Sequence, residues 1–206
     1  LSGRPAAGDF DTAIKDLNGT VDLAIDSGPT RIGMESTVVD LTGDSIEVLR
    51  EGAIKKEEIE EVVRKKTILF VCTGNSCRSV MAKGLLEKKL REMGRNDVEV
   101  FSAGIAIIGG YKATQETVEL MNKEGIDISS HYTQRINPET VKKSDIILVM
   151  EKMHEERIAQ LVPQAKNRVF LFKEFAKIDD SNLDITDPIG KSFAEYEKVF
   201  YIIKEA

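Results

Sequence analysis

The 206-residue chain is predicted to be an α/β protein, a three-layer Rossmann-like fold with a four-stranded parallel sheet, preceded by an incomplete α/β segment. Three observations predict it. From Thr67 onward, short β-prone apolar runs alternate with amphipathic stretches, the signature of right-handed βαβ crossovers with helices on both faces of a sheet. The first 54 residues instead carry a few short β-prone runs among Gly, Asp and Thr, too little to close a core alone. Between these parts lies a densely charged segment, residues 55–66.

In the first part, strands are expected at 21–25, 36–41 and 46–50, the last two joined by a hairpin turn at 42–45. In the charged segment, apolar residues fall at 59, 62 and 63, one helical stripe, so 55–66 is expected to be a helical linker. In the second part, strands are expected at 67–72, 97–101, 145–150 and 168–172. Helices are expected at about 79–93, 113–124, 152–161 and 192–204. In such a sheet the ligand site lies at the carboxyl ends of the strands, and Cys72 falls at the end of the first one.

Composition narrows the function. Hydrophobic residues make up 41% and charged residues 31%, values of an ordinary globular protein. No run approaches the ~20 apolar residues of a membrane span, and no signal peptide opens the chain. The first residue is Leu1 rather than Met, which suggests a processed or partial product. Two cysteines in a C-x4-C arrangement, with two histidines in the whole chain, make neither a secreted disulfide framework nor a zinc site. A reducing cytoplasm is expected, with no metal or other cofactor. The net charge of −6 is carried by residues 1–54, and the remainder is balanced, so no basic stripe points to nucleic acid.

The chemistry lies in residues 67–79. A strand ending in Cys72 empties into Thr73, Gly74, Asn75, Ser76 and Cys77, and a helix opens with Arg78 and Ser79. Loop amides and a helix N-terminus converge on such a cysteine. The thiolate is expected to be stabilised there, with a pKa in the range of about 3.5–7.5. Arg78 presents a planar fork that can grip two oxygens of a phosphate. Cys-x5-Arg is the pair that a cysteine-dependent phosphatase needs.

These residues resemble the signature loop of the low-molecular-weight protein phosphatase family. Phe101-Ser102-Ala103-Gly104, Gly125-Ile126-Asp127 through His131, and Asp187-Pro188 match further family segments in order. The resemblance implies that Cys72 attacks phosphorus and forms a phosphocysteine. Arg78 and the loop amides would stabilise the phosphoryl oxygens. Asp187 would protonate the leaving group and then activate water, with Pro188 stiffening its loop. Asp184, Asp179 and Asp180 are nearby rivals for that acid. Gly74 and Asn75 would supply unusual backbone angles. Ser79 would cap the helix and donate to the thiolate. Asn75, Ser102 and His131 would support the loop, with no chemistry for His131. His154, on a charged helix, is expected to be solvated. Cys77 is either an inert packed thiol or a partner for an oxidised Cys72.

Phosphorylated proteins are the implied substrates. Ser76 stands where tyrosine-specific relatives carry a bulky aliphatic residue and the bacterial protein-arginine phosphatases carry threonine. Asp187-Pro188 is followed by Ile189 rather than an aromatic residue, and the chain has no tryptophan. Both features lean towards phosphoarginine over phosphotyrosine. Arsenate reduction would require further cysteines after Cys77, and there are none. A silent phosphate-binding module would not need the full set of Cys72, Arg78, Ser79 and Asp187.

Residues 1–5, 36–40 and 49–54 resemble the closing third of the YrdC-like threonylcarbamoyl-adenylate synthases. That resemblance implies contacts of Ser36 with threonine and of Arg50 with the nucleotide. Most of that fold would lie upstream of Leu1, so the segment is expected to be an inactive remnant of a fusion.

Overall fold

The computed structural model describes residues 7–17, 19–43, 46–107 and 110–206. Contacts divide the chain into two units, Leu1–Arg64 and Lys65–Ala206.

The first unit holds helix α1 (Phe10–Leu17), an antiparallel pair β1 (Val38–Asp40) and β2 (Glu47–Arg50), and helix α2 (Lys56–Val63). None of its described hydrophobic side chains is buried. The strand expected at 21–25 does not form. Leu23 and Ile25 are about four-fifths exposed, at 81% and 79%, and among the described residues no strand pairs with this run. β-propensity without a pairing partner leaves such a run extended and solvated. The helix at 10–17 was not foreseen, although Asp9 starts it by accepting from the Thr12 amide at 2.8 Å. Asp44 and Ser45, in the turn expected at 42–45, and the run at 1–5 lie outside the described residues. α2 forms where expected, but Val62 on its apolar stripe is 81% exposed.

The second unit is a parallel sheet of β3 (Lys66–Cys72), β4 (Val98–Gly104), β5 (Ile146–Val149) and β6 (Val169–Leu171), in spatial order β4-β3-β5-β6. Alternation along β3 sends Phe70 and Cys72 to one face and Leu69 and Val71 to the other. The first face packs against α3 (Arg78–Glu92), α4 (Gln115–Lys123) and α8 (Phe193–Glu205), through Val80, Met81, Met121, Val199 and Phe200. The second face packs against α5 (Pro138–Lys143) and α6 (Lys152–Leu161), through Val141 and Ile158. These are the three layers that the alternation implied.

Three short elements were not anticipated: α5, a 3-10 turn at Pro163–Arg168, and α7 (Phe172–Phe175). The start of α5 was legible. Asn137 accepts from the Thr140 amide at 2.9 Å, and Pro138 occupies the first turn. The strand expected to end at 101 runs on to Gly104, because Ser102, Ala103 and Gly104 pair with Phe70, Val71 and Cys72. No described helix is long and apolar enough to cross a membrane.

Candidate active site

Cys72 ends β3 and lies opposite Gly104 in the register of β4. Gly104 has a steric reason to be glycine. A Cβ there would sit 2.7 Å from the Thr73 carbonyl oxygen and 3.0 Å from the Asn75 nitrogen, so the loop passes directly over it. Gly104 N donates to Gln134 O, and Ile105 N and Ala106 N donate to the carbonyls of Cys72 and Thr73, at 2.8–3.0 Å. The loop is thereby fastened to the extended end of β4.

Asn75 holds the loop from inside. Its φ is +51°, in the left-handed region that asparagine tolerates best among residues other than glycine. Its amide nitrogen donates to both Ser79 Oγ and Ser102 Oγ at 2.9 Å, and Oδ1 accepts from the Gln134 amide at 2.8 Å. Its carbonyl accepts from His131 Nε2 at 2.8 Å, and its N–H donates to Cys72 Sγ at 3.2 Å. The side chain is fully buried, and every polar group it carries is used. Burial, reinforced by the charges of Lys83 and Lys112, holds the His131 pKa below its ordinary value, so the ring donates as neutral imidazole. Gly74, expected to share the unusual backbone, does not adopt a positive φ.

Ser79 lies inside α3 rather than capping it; Cys77 occupies the cap position and makes no side-chain cap bond. Ser79 Oγ is 3.0 Å from Cys72 Sγ. That oxygen accepts from Asn75, so its proton is available to the sulfur. Among the described residues, the amides of Thr73, Gly74, Ser76 and Cys77 donate to no protein acceptor. Both cysteines are free and buried. Cys77 Sγ sits among Ser76 Oγ at 3.6 Å, Thr114 Oγ1 at 3.5 Å and Tyr196 Oη at 3.7 Å. Burial pushes the Tyr196 phenol up to about 12, so it stays protonated.

Arg78 is 1% exposed and ties three segments together. Nη2 donates to Asp187 Oδ2 at 2.5 Å and to Thr73 Oγ1 at 3.1 Å. Nη1 donates to Glu151 Oε1 and to the Ile185 carbonyl. Nε is buried with no partner among the described residues. The Asp187 segment is pinned to the end of β5 by Ile185 N on Met150 O at 2.7 Å and to the start of α6 by Lys152 N on Asp184 Oδ1 at 2.9 Å. Of the rival acids, Asp184 is therefore occupied with the α6 terminus, and Asp180 pairs with Lys173.

The electrostatics differ from expectation. Burial pushes the Cys72 thiol above its ordinary value; the Arg78 charge, Ser79 and the Asn75 amide pull the other way without overcoming it. Arg78 is the strongest of the groups that favour the thiolate, and it carries two carboxylates, Glu151 and Asp187.

His154 was expected in solvent and is instead fully buried. Nδ1 accepts from the Glu151 amide at 3.0 Å, and Nε2 lies 3.0 Å from Thr73 Oγ1. Burial, then the Arg78 charge, lowers its pKa to about 4. Sequence alone places His154 in solvent and gives Glu151 no role. The available signal was an acid three residues before a histidine at a strand-to-helix junction, the spacing of a capping box. In the first unit, Arg50 Nη2 bonds both the carbonyl and the hydroxyl of Ser36, at 3.0 and 3.2 Å, and Nη1 pairs with Glu35. The two residues expected to touch different substrates touch each other.

A family model described as low molecular weight phosphotyrosine protein phosphatase matches residues 67–206. A second, the Sua5, YciO and YrdC model described as telomere recombination, matches residues 1–52. The chain is 38% identical over 139 residues to a probable low molecular weight protein-tyrosine-phosphatase, EpsP, of Ralstonia nicotianae, covering 68% of this chain and 89% of that protein. The structure resembles the YwlE arginine phosphatase of Geobacillus stearothermophilus with a TM-score of 0.61 at 33% identity, over 68% of this chain and 86% of that one. It also resembles a YwlE arginine phosphatase mutant with a phosphorylated active-site serine, with a TM-score of 0.61 at 30% identity, over 68% and 91% of the two chains. The chain belongs to the low molecular weight phosphotyrosine protein phosphatase family.

Proposed function

We propose that residues 67–206 hydrolyse phosphorylated protein side chains through a phosphocysteine intermediate, with phosphoarginine as the preferred substrate. The observation that carries this reading is the loop itself. Among the described residues four loop amides and the buried Nε of Arg78 donate to no protein acceptor, and the Asn75 amide donates to Cys72 Sγ, a set of donors suited to an oxyanion with several oxygens.

In this reading the phosphoryl group enters the loop, and its oxygens take over the guanidinium from Glu151 and Asp187. The Asp187 carboxylate freed from Arg78 takes up, through water, the proton that the Cys72 thiol gives up, with Ser79 donating to the sulfur. Sulfur attacks phosphorus in line, the bond to the leaving atom breaks, and Asp187 supplies that atom with a proton. Asp187, now a carboxylate, takes a proton from water. The resulting nucleophile attacks the phosphocysteine, releasing phosphate and the Cys72 thiolate. A family neighbour carrying a phosphoserine at its active site supports the covalent route. A reducing cytoplasm suits the two free thiols.

Ser76 supports the phosphoarginine preference. Its hydroxyl belongs to the loop and can accept from a guanidino N–H, and half-exposed Ile189 offers no aromatic wall. Relatives named for either substrate are similarly close. Side-by-side kinetics on phosphoarginine and phosphotyrosine peptides test the choice. The expected result is faster phosphoarginine turnover, reversed by Ser76→Ile; faster phosphotyrosine turnover by the parent defeats it.

For residues 1–54 we propose an inactive closing part of a YrdC-like synthase. Arg50 is occupied by Ser36 and Glu35, which supports that reading. Calorimetric titration with ATP and threonine should give no saturable heat.

A further inference from the structure

The capping box of α6 carries a function that helix capping alone does not explain. A peptide N–H can only donate, so the Glu151 amide at 3.0 Å makes His154 Nδ1 an acceptor. The ring is neutral, so its one proton sits on Nε2 and is donated to Thr73 Oγ1 at 3.0 Å. The same oxygen accepts from Arg78 Nη2 at 3.1 Å. A threonine hydroxyl has two lone pairs and one proton. Both lone pairs are taken, so the only capacity left at Thr73 is its O–H, and that proton must lie away from both donors.

We propose that His154 and Glu151 are positioning residues that make Thr73 a one-way hydrogen-bond donor to an oxygen of the bound phosphoryl group. The inference rests on the phosphatase reading above. Thr73 is the first loop residue after Cys72, and it shares Arg78 Nη2 with Asp187, which places its hydroxyl on the side of the loop where the acid stands. Glu151 contributes twice: its amide fixes the imidazole tautomer, and its carboxylate holds the other guanidinium nitrogen. Three groups that would meet the phosphate, Thr73, Arg78 and Asp187, are thereby oriented from one helix start. A hydroxyl held with both acceptor sites filled does not reorganise when an anion arrives, and this is what makes such a donor effective.

Two substitution pairs test it, with inorganic phosphate as the binding probe and an aryl phosphate as substrate. Thr73→Ser keeps the hydroxyl and Thr73→Val removes it. His154→Gln can reproduce both bonds of the neutral ring, one accepted and one donated, without titrating; His154→Leu reproduces neither. Thr73→Val and His154→Leu should each weaken competitive inhibition by phosphate about tenfold and lower kcat/KM by a similar factor, the loss of one hydrogen bond to a charged group. Thr73→Ser and His154→Gln should recover most of both losses, with a pH–rate profile of the parent's shape. Unaltered phosphate inhibition in Thr73→Val overturns the proposal, as does a His154→Gln variant as impaired as His154→Leu. Should His154→Leu fail to fold, the Thr73 pair decides alone. A parent protein that does not turn over aryl phosphate would instead remove the phosphatase reading, so the two failures are separate.

Discussion

Asp187 is held by Arg78: Oδ2 lies 2.5 Å from Nη2 of a guanidinium that is otherwise buried in the loop. In the proposed reading the acid and the phosphate-binding group thus neutralise each other in the free protein, with Glu151 on the second nitrogen. On that reading a substrate phosphate must displace both carboxylates, which makes them intramolecular competitors for its site.

Asp187→Asn separates the two roles. With a poor leaving group, kcat should fall by about 10²–10³, the usual contribution of a general acid. With a good leaving group the loss should be much smaller. Inorganic phosphate should inhibit the variant more strongly than the parent, since one competing charge is gone. A plot of kcat against leaving-group pKa, together with the phosphate inhibition constants, checks both.

The Cys72 thiol should show the same competition from the sulfur's side. In the free protein, burial outweighs Arg78, so alkylation by iodoacetamide should climb as pH rises through and beyond the ordinary thiol range, with no plateau reached below neutrality. Glu151→Gln leaves Arg78 with one carboxylate fewer and should move the alkylation profile to lower pH. Alkylation rate against pH for the two proteins is the measurement.

His154 links stability to pH. Its folded pKa, about 4, lies below the value of 6.5 for a free imidazole, so the folded state binds the proton less readily than the unfolded one. The neutral ring's contribution is complete above the unfolded value and is lost as pH falls from there towards about 4. The Tm of the parent should fall across that window by about 5 °C or more beyond the decline of His154→Gln, which cannot titrate. Calorimetry of both across that range tests it.

Gly104→Ala tests the close passage of the loop. The added Cβ would meet backbone atoms of Thr73 and Asn75 at 2.7–3.0 Å, so the loop rather than a side chain must move. The cost should be about 1–3 kcal/mol in stability. Since the displaced atoms belong to the loop proposed to hold the phosphate, kcat/KM should fall by at least about tenfold, because small displacements of positioned groups are costly. Urea unfolding and steady-state kinetics report the two effects.

Much of the site was legible because its parts are local. The strand before Cys72, the spacing to Arg78 and the run 102–104 lie in short stretches where periodicity and residue type carry the information. The supporting bonds of Asn75 to Ser79, Ser102 and His131 join the residues that the family resemblance named. His154 was misread because a charged helix with one histidine looks solvated in one dimension, while the ring turns back under the loop 81 positions away. The strand at 21–25 was misread because β-prone residues do not form a strand until another edge is available.

Residue patterns alone specify the parallel α/β layering and place a cysteine at a strand end, before a loop that leads into a helix. Only the tertiary structure decided how the charges pair. Arg78 meets Glu151 and Asp187 across 73 and 109 residues, and the choice among several acids depends on which loops the sheet brings to one rim. Hydrophobic alternation specifies which face of a strand is buried, because that is a property of neighbours in sequence. The partner of a buried charge is set by strand order and loop anchoring, which no local pattern encodes.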